Sequence, residues 1–167
     1  MELLNDEFFM ARALAEAAAA FAAGEVPVGA VAVRDNQVIA RAGNQVETLK
    51  DATAHAEILA LTQAAAALGD WRMEEVTLYV TKEPCAMCAG AMVNARVKRV
   101  VFGLRDPRSG ACGSALDVTG FPGMLWQVET TGGVLEDECG ALMKEFFRQV
   151  RSRKEGGAEK REKNAKI

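Results

Sequence analysis

The sequence predicts one α/β domain in which helices pack on both faces of a central sheet. The chain has 167 residues, a length that most often corresponds to a single domain. Half of the residues are apolar and 26% are charged, so a core can be buried without disulfide bonds. Helical and strand patterns alternate along the chain, and this order is typical of layered α/β folds.

The N-terminal part predicts a helix followed by a β-hairpin. An alanine-rich helix is predicted over residues 3–23 and is ended by Gly24. Its predicted apolar stripe has helical spacing and comprises Leu4, Phe8, Ala11, Ala15, Ala18 and Ala22. Two apolar runs joined by a turn at Asp35-Asn36 then predict strands over residues 28–33 and 37–42.

The rest of the chain predicts three more helices and three more strands. A polar loop reaches Thr53, and a loop rich in small residues covers 105–124. Pro84 favours the first turn of a helix that carries Cys85 and Cys88. The other predicted helices are 54–67 and 136–152, and the predicted strands are 76–81, 99–102 and, from a weaker pattern, 127–130. The last helix has an apolar stripe of Leu135, Cys139, Leu142 and Phe146, flanked by Met143, Phe147 and Val150.

Charge is distributed unevenly between an acidic body and a basic C-terminus. The formal net charge is −3, but residues 151–167 contain seven Lys or Arg and three Glu, so they carry +4 and the remainder −7. An acidic body does not fit a general nucleic-acid binder, although the basic segment permits a local contact with a polyanion. The other interpretation of this segment is a solvated chain terminus.

Composition also indicates the compartment. No apolar stretch approaches the roughly 18 residues that a membrane span needs. The N-terminus is acidic where a secretory signal is basic, so we expect a cytoplasmic protein. In that compartment the four cysteines are expected to be metal ligands or buried thiols rather than disulfides.

Three residues form a candidate zinc site. His55 is the only histidine of the chain, and a Cys-x-x-Cys pair, Cys85 and Cys88, follows thirty residues later. Three protein ligands leave the fourth tetrahedral position for water, as in catalytic zinc sites. Cys112 as a fourth ligand would instead close the site. Otherwise Cys112 and Cys139 are expected to be structural thiols.

Glu57, two residues after His55, is the candidate proton carrier. Two thiolates offset the +2 charge of a zinc ion, so its water would be acidified less than at a site with three neutral ligands. A nearby carboxylate that accepts the water proton and returns it to a leaving group would complete the chemistry. A Cys-x-x-Cys pair alone also fits a redox pair or buried thiols. The order His-x-Glu followed by Pro-Cys-x-x-Cys is the signature of zinc nucleobase deaminases.

From Phe8 to Arg151 the sequence resembles the bacterial tRNA-specific adenosine deaminases, which convert the wobble adenosine, position 34, of an arginine tRNA to inosine. The matching segments are residues 25–30, 44, 53–57, 77–81, 83–92, 99–103, 113–114, 133, 137–139 and 146–148. The resemblance implies a three-layer α-β-α fold of the cytidine deaminase type, with a five-stranded mixed sheet between helices. It also implies a homodimer with one Zn²⁺ per subunit on His55, Cys85 and Cys88. The deaminase domain is then expected to span 1–152, followed by a basic, mobile tail over 153–167.

The resemblance also assigns the substrate pocket. It implies that water attacks C6 of adenine while Glu57 transfers the protons. Asn44 matches the position that hydrogen-bonds the flipped base, and an amide offers both a donor and an acceptor to a purine. Without the resemblance, Asn44 is better interpreted as a loop residue with positive φ after Gly43. Val28 and Ala54 are expected to line the pocket walls, and Asp106 to approach a ribose hydroxyl.

RNA contacts are expected at the C-terminal helix and near the pocket. Arg148 and Arg151 follow the apolar stripe of that helix and are candidates for contacts with phosphates of the anticodon stem-loop. Lys82 stands where related sequences carry an apolar residue, and it either contacts a phosphate or faces solvent. A base must be unstacked before C6 is reached, so a single-stranded loop is the expected target.

Two other functions remain open from the sequence. The first is a free nucleobase or nucleoside deaminase acting on guanine, cytosine or cytidine, which shares the metal signature. Residues 146–148 and the basic tail argue against it, because a small substrate needs no phosphate-binding surface. The second is a non-catalytic RNA-binding module with structural zinc, and Glu57 and the open ligand position argue against that.

Overall fold

The protein is described by a computed structural model that covers the backbone of residues 5–164 and the side chains of residues 5–155. Leu4, which belongs to the predicted stripe of the first helix, lies outside the described residues. Helices and strands follow one another as α1 (Asp6–Ala22), β1 (Gly29–Arg34), β2 (Gln37–Gly43), α2 (Val46–Leu49), α3 (Ala56–Leu68), β3 (Thr77–Lys82), α4 (Ala86–Asn94), β4 (Arg99–Leu104), β5 (Glu129–Gly132) and α5 (Glu136–Asn164). Over residues 5–164, no helix is long and apolar enough to cross a bilayer.

The five strands form one mixed sheet in the order β2-β1-β3-β4-β5. Strand β1 is antiparallel to β2 and β3, whereas β3, β4 and β5 are parallel to one another. Asp35 and Asn36 have φ angles of 50° and 63°, as a two-residue hairpin turn with two left-handed positions requires. The predicted hairpin and the five-stranded mixed sheet are therefore confirmed.

The two faces of the sheet bury alternate residues of the same strands, as the pleat requires. Val31, Tyr79 and Val101 pack in one cluster with Phe9 and Met10 of α1. The cluster on the other face joins the strands to α3 and α4 and includes Ala32, Ala60, Leu78, Met92 and Val100. The three-layer arrangement expected from the sequence is confirmed.

Helix α1 buries a different face from the one that the sequence predicts. Its buried residues are Phe9, Met10, Ala13, Ala17 and Ala20, whereas most of the predicted stripe is exposed. The physical reason is a close approach to β1: a Cβ atom on Gly29 would lie 2.1 Å from the carbonyl oxygen of Ala13 and 2.4 Å from the amide nitrogen of Ala17. The helix backbone thus lies directly on the strand, and only its alanine face fits there.

Three further boundaries differ from the prediction. The polar loop before Thr53 contains the short helix α2. Pro84 lies outside α4, because Cys85 is the N-cap and the helix begins at Ala86. Helix α5 continues to Asn164 rather than ending near 152, so the backbone of the expected tail is helical to that residue. The glutamate, lysine and arginine residues of this segment favour helix intrinsically. The side chains beyond Glu155 lie outside the described residues.

Candidate active site

The candidate residues meet at one edge of the sheet. Because β1 runs antiparallel to both β2 and β3, its first residue lies at the same edge as the last residues of the other two strands. Val28 precedes β1, Asn44 follows β2 and Cys85 follows β3. These residues are separated by up to 57 positions in sequence, from Val28 to Cys85, and become neighbours only through the strand order.

His55, Cys85 and Cys88 form a compact group of metal-ligand atoms, all within 4.8 Å of one another. The Sγ atoms of Cys85 and Cys88 lie 3.7 and 3.5 Å from Nδ1 of His55. In a tetrahedral site with Zn–S near 2.3 Å and Zn–N near 2.0 Å, sulfur and nitrogen are about 3.5 Å apart. The donor set and its spacing therefore fit one tetrahedral zinc ion. Among the described residues this group does not include Cys112, although that buried thiol belongs to the same core cluster as Cys88.

Two helix N-termini converge on this group. His55 is the N-cap of α3 and Cys85 is the N-cap of α4, and neither side chain makes a capping hydrogen bond. The positive end of a helix dipole favours thiolate over thiol. The pKa of Cys85 is lowered to about 5, mainly because the Cys88 side chain hydrogen-bonds to its sulfur, against the opposing effect of burial. Cys85 is thus held in the form that binds a metal.

Glu57 is the only acidic residue in the first turn of α3, and it is 4% exposed. It lines the same cavity as His55 and Cys85 and lies within hydrogen-bonding distance of Cys88. Burial raises the pKa of its carboxyl, while the nearby His55 opposes this shift. Such a carboxyl holds a proton more readily than an exposed glutamate does, which suits a group that accepts and returns protons.

The metal-ligand group opens onto a cavity of about 370 Å³, lined in part by Val28, Asn44, Lys82, Met143 and Phe147. Asn44 is 8% exposed, and its amide makes two long hydrogen bonds. Nδ2 donates to the carbonyl oxygen of Val26 and Oδ1 accepts from the backbone N–H of Val46, both at 3.4 Å. Asn44 is absent from the residues with positive φ, so its interpretation as a left-handed loop residue is wrong. Long bonds leave the amide able to pair with a base.

Lys82 and Asp106, both expected near the substrate, form an ion pair with each other. Nζ of Lys82 lies 2.6 Å from Oδ2 of Asp106, and the side chains are 30% and 12% exposed. The Asp106 carboxylate also accepts hydrogen bonds from the hydroxyl and backbone N–H of Ser109 and the backbone N–H of Arg108. Burial opposes ionisation, but these bonds together hold the pKa of Asp106 well below its usual range. Lys82 lines the cavity and Asp106 does not.

The remaining expected residues lie in different surroundings. Ala54 is 2% exposed and does not line the cavity, where His55 and Ala56 are found instead. Arg148 makes two hydrogen bonds to the carboxylate of Glu145 on the surface of α5. Arg151 lines a surface groove of about 440 Å³ together with Arg108, Lys144, Met143 and Phe147. This basic groove shares Met143 and Phe147 with the cavity.

Sequence reasoning missed two buried carboxylates and placed one aromatic residue wrongly. Glu25 and Glu83 are 1% and 3% exposed, and both line the cavity. Oε1 of Glu83 accepts a hydrogen bond from the Ser114 hydroxyl at 2.8 Å, which connects the cavity wall to the loop that follows β4. The position of Glu83 directly before Pro84-Cys85 was an available signal. Phe147, expected beside the core stripe of the last helix, is 43% exposed and lines the cavity instead.

The fold and the site together define a class of protein. A His/Cys/Cys group at the start of two helices, with a buried glutamate beside it and a cavity above, is the arrangement of nucleobase deaminases that use a metal-activated water. Comparison with known proteins identifies the family within this class. A family model for MafB19-like deaminases matches residues 4–151.

The chain is 47% identical to the tRNA-specific adenosine deaminase of Bacillus subtilis, over 91% of this chain and 94% of that protein. Among solved structures, one from a study of A-to-I editing by tRNA:A34 deaminases is 43% identical, with a TM-score of 0.78 over 81% of this chain and 98% of that one. A guanine deaminase from Nitrosomonas europaea is 26% identical, with a TM-score of 0.75 over 87% and 86%. The chain belongs to the deaminase family that includes the bacterial tRNA-specific adenosine deaminases.

Proposed function

We propose that the protein catalyses the hydrolytic deamination of the wobble adenosine of a tRNA, position 34 in the anticodon loop, to inosine. The observation that carries this proposal is one cavity lined by His55 and Cys85, the buried Glu57 and the Asn44 amide, with Cys88 completing the metal-ligand group beside it. Its relatives at high identity act on tRNA adenosine, which makes adenine in RNA the first substrate to test. The arginine tRNA that carries adenosine at position 34 is the proposed isoacceptor.

We propose that one Zn²⁺ per subunit is held by His55, Cys85 and Cys88. The sulfur–nitrogen separations of 3.5 and 3.7 Å and the lowered pKa of Cys85 support this donor set. When bound, the ion supplies Lewis-acid activation of a water molecule. The three ligands leave one tetrahedral position for that water, which distinguishes a catalytic site from a closed structural one.

The protein residues around this position perform proton transfer and orientation. In the proposed reaction, the oxygen of water forms a bond to C6, and the C6–N bond breaks to release ammonia. Glu57 accepts one proton of the water and transfers it to the ring nitrogen. It then accepts the second proton from the new C6 hydroxyl and transfers it to the leaving amino group, so C6 becomes a carbonyl and no other proton carrier is needed. Asn44 orients the purine by its amide, and Val28 contacts the apolar face of the base.

The basic groove is the proposed path of the anticodon-loop backbone. Arg108, Lys144 and Arg151 supply three positive charges beside Phe147, which can stack on an unpaired base. Arg148 lies on the same helix, but a phosphate must compete there with Glu145. We also propose that Lys82 contacts RNA at the entrance of the cavity, in exchange for part of its bond to Asp106. The family resemblance implies that Asp106 approaches a ribose hydroxyl there, and we keep this as part of the proposal.

Assembly and domain limits complete the proposal. We propose a cytoplasmic homodimer in which residues 1–152 form the catalytic domain and 153–167 a basic tail. Leu116, Phe121, Met124 and Leu125 support a second copy as partner, because they are between 39% and 100% exposed within one loop. Sedimentation equilibrium tests this: we expect a dimer for the wild type and a monomer for Leu125→Asp. A monomeric wild type would contradict it.

The direct test is inosine formation at position 34 of an unmodified arginine tRNA, read by sequencing, with free adenosine, cytidine and guanine assayed in parallel. We expect inosine in the tRNA and no turnover of the small substrates. The control is Glu57→Gln, which should keep zinc content and RNA affinity and lose at least about 10²-fold in rate. Full activity in that variant, with its metal intact, would overturn the mechanism.

Two other outcomes would overturn the proposed substrate. Turnover of guanine or cytidine without inosine in tRNA would assign the chain to the small-molecule deaminases. RNA binding with zinc bound and no turnover of any substrate would leave a non-catalytic module.

A further inference from the structure

Glu25 is a buried carboxylate in the cavity that the proposed chemistry does not use. It lies in the turn between α1 and β1 and is 1% exposed. Its Oε1 accepts hydrogen bonds from the backbone N–H and the hydroxyl of Thr48, at 2.6 and 2.9 Å. Its Oε2 accepts from the backbone N–H of Glu47 at 3.1 Å. A buried charge with three donors around it is a specific arrangement, because a buried charge without hydrogen-bond partners is strongly unfavourable.

These bonds replace the missing cap of α2. The first N–H groups of any helix lack partners inside the helix, and a side chain of the N-cap residue usually accepts from one of them. In α2 the N-cap is Gln45, and its side chain makes no such bond. The N–H groups of Glu47 and Thr48 are instead bound by Glu25, which lies more than twenty positions earlier in the sequence.

Among the described side chains, the other acceptor at this helix start is Asn44. Its Oδ1 receives the N–H of Val46 at 3.4 Å, much longer than the shortest bond to Glu25. Bonds to an ionised carboxylate are roughly twice as strong as those between neutral groups, and a bond of 3.4 Å is weak. Most of the capping of α2 is therefore supplied by Glu25, and little of it depends on the Asn44 amide.

We propose that Glu25 is a positioning residue that caps α2 from outside and so leaves the Asn44 amide available to the purine. Without this cap, Oδ1 of Asn44 would be the remaining acceptor for the start of α2 among the side chains that the structure describes, and substrate binding would require it to break that bond. The inference rests on the proposed function, since it concerns the residue that orients the base. The pKa of Glu25 supports it: burial opposes ionisation, but the bonds from Glu47 and Thr48 outweigh that and lower the pKa, so the carboxylate stays charged.

The first test is hydrogen exchange at the α2 amides in the protein without substrate. Glu25→Gln replaces one carboxylate oxygen by an amide group and should speed exchange at Glu47 and Thr48 by about tenfold. Thr48→Val removes only the hydroxyl bond and should have a smaller effect, with Thr48→Ser restoring it. Unchanged exchange in Glu25→Gln, with the same melting temperature as the wild type, would overturn the capping role.

The second test asks whether Glu25 acts through Asn44. With the wobble-adenosine tRNA as substrate, Glu25→Gln should raise KM by about tenfold and leave kcat within about threefold, with zinc content unchanged. In an Asn44→Ala background the same substitution should have little further effect, because the residue it positions is gone. Glu75→Gln, a charge removal at the opposite end of the sheet, is the control. Losses that multiply in the double variant would overturn the inference.

The two tests separate the inference from the proposed function. A wild-type protein that forms no inosine would refute the function and the link to the purine. The exchange rates of the α2 amides would still decide whether Glu25 caps that helix.

Discussion

The ion pair between Lys82 and Asp106 should contribute about 1–2 kcal/mol to the free energy of unfolding at pH 7. Its charges are 2.6 Å apart, and at an effective dielectric constant near 20 their attraction is roughly 6 kcal/mol. Most of this is offset by the desolvation of two partly buried groups and by the lost freedom of the lysine side chain. Exposed pairs retain only about 0.2–1 kcal/mol, and side-chain exposures of 30% and 12% place this pair above that range.

A double-mutant cycle measures this quantity. Lys82→Met keeps the length of the side chain without its charge, and Asp106→Asn keeps an acceptor for Ser109. Urea unfolding of the wild type, both single variants and the double variant gives the coupling energy. The control is the pair of Arg96 and Glu74, which is 3.1 Å apart but 46% and 47% exposed, and whose coupling should stay below about 0.5 kcal/mol.

The coupling should also depend on pH in one direction. Because the folded protein holds the pKa of Asp106 below its usual value, the contribution is complete above the unfolded pKa, near 3.9. It is lost as the pH falls from there towards the lower pKa of the folded state, since the unfolded chain then binds the proton first. Equal coupling is expected at pH 7 and pH 5, with a smaller value at pH 3.5. A coupling no larger than that of the exposed control pair would refute the reasoning from burial.

Three other predictions follow from the structure. Gly29→Ala should destabilise the protein by about 2–3 kcal/mol in urea unfolding, because its Cβ would lie 2.1 Å from the α1 backbone. Gly140→Ala in α5, whose Cβ would lie 3.5 Å from Cδ1 of Leu104 in ordinary contact, should stabilise the protein by about 0.5–1 kcal/mol. Destabilisation by both substitutions would contradict this reasoning. Cys88→Ala should lose both its zinc, measured by elemental analysis, and its activity, whereas Cys112→Ala should keep both. Loss of zinc from Cys112→Ala would show that Cys112 is a ligand. Arg151→Ala should lower the slope of log affinity for tRNA against log salt concentration by about 1, because one phosphate contact is lost. An unchanged slope would show that Arg151 does not contact the RNA backbone.

The metal-ligand group could be predicted from the sequence because its chemistry depends on residue type and short spacing. A Cys-x-x-Cys pair at the start of a helix places two sulfurs within one turn, and a single histidine leaves little choice for the third ligand. The helix starts that carry these residues were also predicted, since Pro84 before the cysteine pair and helical apolar spacing are local patterns. The structure brings the three ligand atoms together as this pattern requires.

The buried face of α1 could not be predicted in the same way. Eight of its seventeen residues are alanine, so hydrophobic periodicity distinguishes the faces of the helix poorly. The choice is made by a contact with Gly29, where the strand has no side chain and the helix backbone can approach. That contact depends on the packing of two elements, and neither sequence segment contains it alone.

For the site residues, too, local sequence and tertiary structure determine different properties. Local sequence determined which side chains have the chemistry for the site: an imidazole, two thiols, a carboxylate and an amide in a recognisable order. Only the tertiary structure decided their partners, such as Lys82 with Asp106, 24 positions apart, and Glu25 with the start of α2, 22 positions apart. The physical reason is that helix and strand periodicity is encoded by near neighbours. A partly buried ion pair or a helix cap supplied by a distant residue exists only after the sheet has brought distant loops to one edge.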